Sequence, residues 1–233
     1  MLLTPQRDQT RIGKSMMNAE QALEHLREGN LRYTLGLCRR DTSLSHLHRA
    51  ETVKEQIPFA IILGCSDSRV PVEIVFDQGL GDLFVIRVAG NVVAPSQVAS
   101  AEFAAVQFGT RLIVVLGHSR CAAVLATLEE LRQPKGIGKR SPHSIIDRVR
   151  PSVEPLLKTG LKHDFDALVQ RAVRANIDAS VSQLRHGSSL LGQLIQNEGL
   201  LVIGAEYSIE TGQVELFDDA SGVGPPRVHS QSM

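Results

Sequence analysis

The sequence predicts an α/β fold with a mostly parallel central β-sheet flanked by helices, an N-terminal helical arm and an antiparallel edge strand near the C-terminus. Three observations predict this fold. Continuous apolar runs at residues 58–64, 82–90 and 111–117 are typical of strands buried on both faces. Helical patterns lie between or after these runs, as in crossover connections between parallel strands. Near the C-terminus, the run at 200–209 is followed by a tight turn and a short return strand at 214–217.

The first predicted element is a helix over residues 18–33. Ala22, Leu23, Leu26 and Leu31 recur in it at helical spacing, and Gly29 is expected to mark a break. Because this helix precedes the apolar runs of the sheet, we expect it to be free to pack on a partner subunit.

The remaining helices follow the strands in order. They are predicted at 96–109, at 121–132, near 144–158 and at 165–197, with polar or Gly/Pro-rich loops at 37–54 and 133–142. We therefore predict a flexible extension over 1–17, one domain over 18–217 in which 18–57 form the arm and a loop, and a flexible tail over 218–233.

Composition excludes several classes of protein. The chain has 233 residues, of which 42% are hydrophobic and 21% charged, so it can bury a substantial core. Acidic and basic residues number 25 each, which argues against nucleic acid or a membrane surface as a partner. The chain shows no apolar run of bilayer length and no secretory signal pattern. With only three cysteines, a disulfide scaffold is not expected, and we predict a cytoplasmic location.

Two turns carry the residues of chemical interest. Cys65, Asp67 and Arg69 follow the first apolar run, and His118 and Cys121 follow the third. Parallel strands bring their carboxyl ends to one edge of the sheet, so the two turns are expected to meet. Two sulfurs and one nitrogen suit zinc, and three protein ligands leave a fourth position open, which is typical of a catalytic site. Taken singly, each cysteine could be a small core residue and Asp67 a turn acceptor.

The two turns together resemble the signature of the β-class carbonic anhydrases. Cys-Ser-Asp-Ser-Arg at 65–69 and Gly-His-x-x-Cys at 117–121 carry the resemblance, and the segments 76–91 and 202–217 are also similar to the family. The resemblance covers residues from about Asn18 to Phe217.

The resemblance implies reversible hydration of carbon dioxide to bicarbonate and a proton, with one zinc ion per subunit held by Cys65, His118 and Cys121. Zinc lowers the pKa of bound water and so supplies hydroxide near neutral pH. Asp67 and Arg69 are expected to form a dyad that assists this hydroxide, since an arginine fork keeps a carboxylate ionised and oriented. The resemblance also implies a closed state in which Asp67 itself becomes the fourth zinc ligand.

The substrate pocket and the assembly are implied less directly. Gln78, Gly79 and Val92 are candidate contacts for carbon dioxide or bicarbonate, although Gln78 could be a turn residue and Val92 a core residue. Family resemblance implies a homodimer or homotetramer.

Two other functions stay open on the sequence alone. One is a non-catalytic zinc or thiol sensor on the same fold, which would have no need of Asp67 and Arg69. The other is a related zinc hydrolase, such as a carbon disulfide hydrolase, which zinc chemistry by itself does not distinguish.

Overall fold

The computed structural model describes residues 17–38, 56–132 and 144–217. The predicted loop at 133–142, most of the one at 37–54, and the predicted flexible ends apart from Met17 lie outside the described residues.

The described residues form one five-stranded sheet. Its strands are β1 (Ala60–Gly64), β2 (Leu83–Arg87), β3 (Leu112–His118), β4 (Leu201–Tyr207) and β5 (Val214–Phe217). The order is β2-β1-β3-β4-β5; the first four strands run parallel, and β5 pairs antiparallel with β4. The predicted fold class is confirmed.

Helices cover both faces of the sheet. They are α1 (Ala19–Thr34), α2 (Val72–Val75), α3 (Pro95–Gln107), α4 (Ala122–Arg132), α5 (Ile145–Val153), α6 (Phe165–His186) and α7 (Ser189–Asn197). Short 3-10 turns occur at Ala89–Asn91, Glu154–Lys158 and Gly160–His163. None of the helices in the described part of the chain is long and apolar enough to span a membrane.

The core consists of two apolar layers, one on each side of the sheet. Alternate residues of β1 contribute to opposite layers: Ile61 and Leu63 pack with α3 to α7, whereas Ala60 and Ile62 pack with α1 and α2. A strand with both faces buried must be apolar at every position, which is why its sequence is a continuous run rather than an alternation.

Helix α1 packs one face on its own sheet, and its packing on a partner subunit stays a prediction. Ala22, Leu23 and Leu26 are buried in the layer that also contains Phe59 and Phe76. The helix begins with a capping box, in which Asn18 and Gln21 each accept a hydrogen bond from the other's backbone N–H.

The predicted break at Gly29 is wrong, because α1 continues through Gly29 to Thr34. A side chain at Gly29 would lie 1.9 Å from the carbonyl oxygen of Phe76. Glycine is therefore needed for the close approach of two backbones and not for a turn.

Asn30, the next residue, ties this helix to the rest of the fold. Its amide nitrogen donates to the carbonyls of Val75 and Gly212, at 3.0 and 2.9 Å, and its amide oxygen accepts from the N–H of Val214. One buried side chain thus joins α1 to α2 and to the edge strand β5.

The predicted helix over 165–197 is two helices. Ser188 caps α7 by accepting a hydrogen bond from Leu191 N and donates to Glu102, and a side chain at Gly187 would lie 2.4 Å from the carbonyl of Gln183. Similarly, the helix predicted near 144–158 becomes α5 followed by a 3-10 turn.

The two glycines that lie inside helices should respond oppositely to alanine. Gly29→Ala should lower the free energy of unfolding by at least about 2 kcal/mol, because the added methyl overlaps the Phe76 carbonyl. Gly192→Ala, in α7, meets nothing nearer than 3.9 Å and should raise it by about 0.5–1 kcal/mol, as expected of a better helix former. Urea unfolding of both variants measures this, and equal effects would contradict the close approach of α1.

Candidate metal centre

Three donor atoms meet at the carboxyl edge of the sheet. Cys65 directly follows β1, His118 is the last residue of the neighbouring parallel strand β3, and Cys121 immediately precedes α4. All three residues are buried, and their donor atoms lie within 4.8 Å of one another. The two turns that the sequence separates by about fifty residues are therefore adjacent, close enough for one ion to touch all three side chains.

His118 presents a free nitrogen to this space. Its Nδ1 lies 2.9 Å from the carbonyl oxygen of Ser119, which can only accept, so Nδ1 carries the proton and Nε2 keeps its lone pair. Nε2 is buried and has no hydrogen-bond partner among the described residues. A buried polar atom without a partner is unfavourable by about 1–3 kcal/mol, so this nitrogen is better explained as a ligand than as a core side chain.

The two sulfurs are close enough to influence each other's ionisation. A hydrogen bond from Cys121 lowers the pKa of Cys65, and the N–H of Gly90 acts in the same direction. The same contact with Cys65, together with burial, raises the pKa of Cys121. Two thiolates so close together repel each other, and a dication between them would remove that repulsion.

The donor set fits zinc. Two soft thiol ligands and one imidazole are typical zinc donors, and a tetrahedral ion held by three protein ligands keeps one open position. The amides of Val124 and Ala123 at the start of α4 hydrogen-bond the Cys121 sulfur, which favours its thiolate form.

Asp67 lies beside the three donors and is held by Arg69. Asp67 Oδ1 accepts from the backbone N–H and the Nε of Arg69, at 3.0 and 2.9 Å, and Oδ2 accepts from Nη2 at 2.7 Å. These hydrogen bonds keep the pKa of Asp67 well below its usual range. Oδ2 is also 3.9 Å from His118 Nε2, so the carboxylate faces both the arginine and the donor group.

A polar group on α6, which the sequence analysis missed, supports Cys65. Gly90, at a φ of +68°, donates its N–H to Cys65 Sγ at 3.3 Å. Asn176 donates to the carbonyl of Gly90 at 2.7 Å, and Ser180 donates to that of Asn91 at 2.9 Å. Both side chains lie in the buried stripe of α6, and two polar residues four apart in an apolar stripe were the signal that could have identified them.

The turn from His118 to Cys121 is tied to the turn between β4 and β5. Ser119 accepts from the N–H of Ile209 and donates to Glu210 at 2.7 Å, while Arg120 pairs with the same carboxylate at 2.8 Å. Arg120 has a φ of +54°, which is uncommon for a residue with a side chain. Glu210 thus holds the two residues that lie between the ligands.

The candidate pocket residues are less closely grouped. Val92 is buried in the same apolar layer as Cys65 and Cys121. Gln78 is buried near Gly29 and donates to the carbonyl of Phe76, and Gly79 donates its N–H to Asp82. These contacts give Gln78 and Gly79 a packing role within the chain, and their contact with substrate stays a prediction.

The parallel sheet and the buried Cys–His–Cys group define an α/β protein with a group of side chains that could hold a metal ion. A sequence model of the carbonic anhydrase family matches residues 60–214. Carbonic anhydrase 2 of Mycobacterium tuberculosis is 37% identical over 210 residues, covering 89% of this chain and 97% of that protein. A carbonic anhydrase of Mycolicibacterium smegmatis is 35% identical over 212 residues, with the same coverage of 89% and 97%.

Solved structures agree with these relatives. A β-carbonic anhydrase of Aspergillus fumigatus superposes with a TM-score of 0.65 at 28% identity, covering 74% of this chain and 82% of that one. The Coccomyxa β-carbonic anhydrase, solved with acetazolamide, gives 0.62 at 26% identity, covering 81% and 83%. The chain belongs to the β-class carbonic anhydrases, and the resemblance seen in its two motifs is confirmed.

Glu206 on β4 should make stability depend on pH. Burial, with Glu215 opposite on β5, raises the pKa of Glu206 from 4.5 to about 7. Between these values the folded protein keeps a proton that the unfolded chain has released, so the free energy of unfolding falls as pH rises. Relative to wild type, the free energy of unfolding of Glu206→Gln should therefore rise by about 2 kcal/mol between pH 5 and pH 8.

Urea unfolding at both pH values measures this difference, since effects shared by the two proteins cancel. Glu73→Gln, at an exposed position on α2, is the control and should follow the wild type. The same pH dependence in Glu206→Gln and wild type would contradict the raised pKa.

Proposed function

We propose that the protein catalyses the reversible hydration of carbon dioxide to bicarbonate and a proton, with one zinc ion per subunit. The observation that carries this proposal is the meeting of Cys65, His118 and Cys121 in a buried group next to a carboxylate held by an arginine. Family membership supports the same reaction.

Cys65, His118 and Cys121 would hold the zinc through two sulfurs and Nε2. When bound there, zinc acidifies a water molecule so that hydroxide is available near neutral pH. Thiolates donate more charge than imidazoles do, so this site needs a further group that favours loss of the proton.

Asp67 is the residue that meets this need. Because Arg69 keeps it ionised, its Oδ2 can accept a hydrogen bond from a water molecule at the site and orient that molecule toward the substrate. Arg69 acts through Asp67, since its guanidinium is committed to both carboxylate oxygens.

The state of the site follows from the same pairing. A closed site would require Asp67 to leave Arg69 and become the fourth ligand. Three hydrogen bonds from Arg69 hold the carboxylate away from that role, which supports an open position for water. Val92 in the apolar layer, together with Gln78 and Gly79, completes the proposed substrate site.

The assembly and location are also part of the proposal. Leu31, Leu35 and Leu37 near the end of α1, and Phe103 and Val106 on α3, are large apolar side chains left exposed. These surfaces support a homodimer or homotetramer, which light scattering of the purified protein would test. The need for reduced thiols at the metal supports a cytoplasmic location.

Replacing Arg69 tests the dyad. Arg69→Ala should keep one zinc per chain but lose about 10- to 100-fold in kcat for carbon dioxide hydration, because Asp67 is no longer oriented. Stopped-flow assays on protein of known zinc content measure it. Arg27→Ala, which removes an arginine paired with Glu24 on α1, should match the wild type.

The outcomes separate the competing functions. Full activity in Arg69→Ala removes the dyad from the mechanism. A wild type with stoichiometric zinc and no hydration above buffer favours the zinc or thiol sensor, and turnover of carbon disulfide instead favours the related hydrolase.

Cysteine substitutions test the ligand set. Cys65→Ser and Cys121→Ser should lose most of their zinc during dialysis against a chelator that leaves the wild type loaded. Cys38→Ser removes the remaining thiol, which is free and outside the group, and should keep its zinc. Elemental analysis measures this, and equal zinc in Cys65→Ser and Cys38→Ser would contradict the proposed site.

A further inference from the structure

We propose that Arg87 is a positioning residue that fixes the backbone of the turn carrying Cys65 and Asp67. This inference rests on the proposed function of that turn but assigns a role to a residue outside it. Arg87 is the last residue of β2 and lies beside Gly64 in the parallel register. Its side chain therefore starts at the same edge of the sheet as the turn.

The guanidinium of Arg87 contacts the turn at two points. Its Nε donates to the carbonyl of Cys65 at 3.0 Å, and its Nη2 donates to the carbonyl of Asp67 at 2.7 Å. The two peptide groups that follow the first ligand and the candidate proton acceptor are thus held by one planar group.

Backbone hydrogen bonds next to Arg87 also join the turn after β1 to the chain after β2. Val88 N donates to the carbonyl of Gly64 at 3.1 Å, and Ser66 N donates to the carbonyl of Val88 at 3.2 Å. Together with Arg87 and the bond from Gly90 N to Cys65 Sγ, they fasten the turn to the chain that leaves β2.

Fixing these two carbonyls sets the direction of two side chains. Orientation of the peptide after Cys65 and after Asp67 limits the backbone angle ψ at each residue, and so the line along which each side chain leaves the backbone. Arginine suits this role because its two donors are rigidly parallel, whereas a lysine ammonium is a single flexible point.

Arg111 provides a matched control. It also donates to two backbone carbonyls, those of Ala105 and Thr110, at 2.8 and 3.3 Å, but it precedes β3 at the opposite edge of the sheet. A merely structural role for such bonds would make the Arg87→Met and Arg111→Met variants alike.

The experiment compares Arg87→Met, Arg87→Lys and Arg111→Met with the wild type, each loaded with zinc or with cobalt(II) as a spectroscopic probe. Arg87→Met should change the cobalt absorption spectrum and weaken zinc binding about 10- to 100-fold. It should lower kcat by a similar factor with little change in KM. Arg87→Lys should recover part of each loss. Arg111→Met should keep the wild-type spectrum and zinc affinity, even if its urea unfolding midpoint falls as far as that of Arg87→Met.

A wild-type cobalt spectrum and zinc affinity in Arg87→Met would overturn the proposal, as would equal spectral changes in Arg111→Met. If Arg87→Met does not fold, Arg87→Lys decides: an unchanged spectrum and affinity in it contradict the need for two parallel donors. If the wild type hydrates no carbon dioxide, the proposed function fails, while the spectrum and the zinc affinity still test the role of Arg87.

Discussion

Crowding of two thiols and an imidazole at one edge of a parallel sheet is the constraint around which this structure is organised. The strands β1 and β3 are direct neighbours, so the residues that follow them cannot avoid each other. Among the described residues, Cys65 and Cys121 lie close together in a buried space, and Nε2 of His118 has no hydrogen-bond partner. A metal ion held by the three donors would relieve this crowding, and its binding would then add to the stability of the fold.

Contacts from other elements support the two turns that carry these side chains. Asn176 and Ser180 on α6 hold the turn that donates to Cys65, and Glu210 after β4 holds the turn between His118 and Cys121. These contacts come from two different elements, so neither turn depends on its own backbone alone. A catalytic group is most precise when it is supported by such surrounding bonds.

The charged groups of the candidate site are the two thiols and the Asp67–Arg69 pair. Two thiolates would neutralise a dication, so the acidity of its water must be assisted from outside the ligand set. Asp67 carries a negative charge beside the three donors, and hydrogen bonds from Arg69 keep it ionised. In the proposed function, the three donors would bind the ion and the Asp67–Arg69 pair would handle the proton.

The sequence by itself determined the sheet and the candidate donor residues, because buried parallel strands and the Cys and His motifs that follow them are local patterns. It did not determine where α1 packs or why Gly29 lies in it, since the close approach to Phe76 occurs between segments far apart in the chain. Nor did it indicate that Arg87 and Asn176 reach backbone groups of the site. Such contacts are decided only by the tertiary structure. Every residue has a backbone carbonyl, so the sequence does not show which distant carbonyl a side chain will bond.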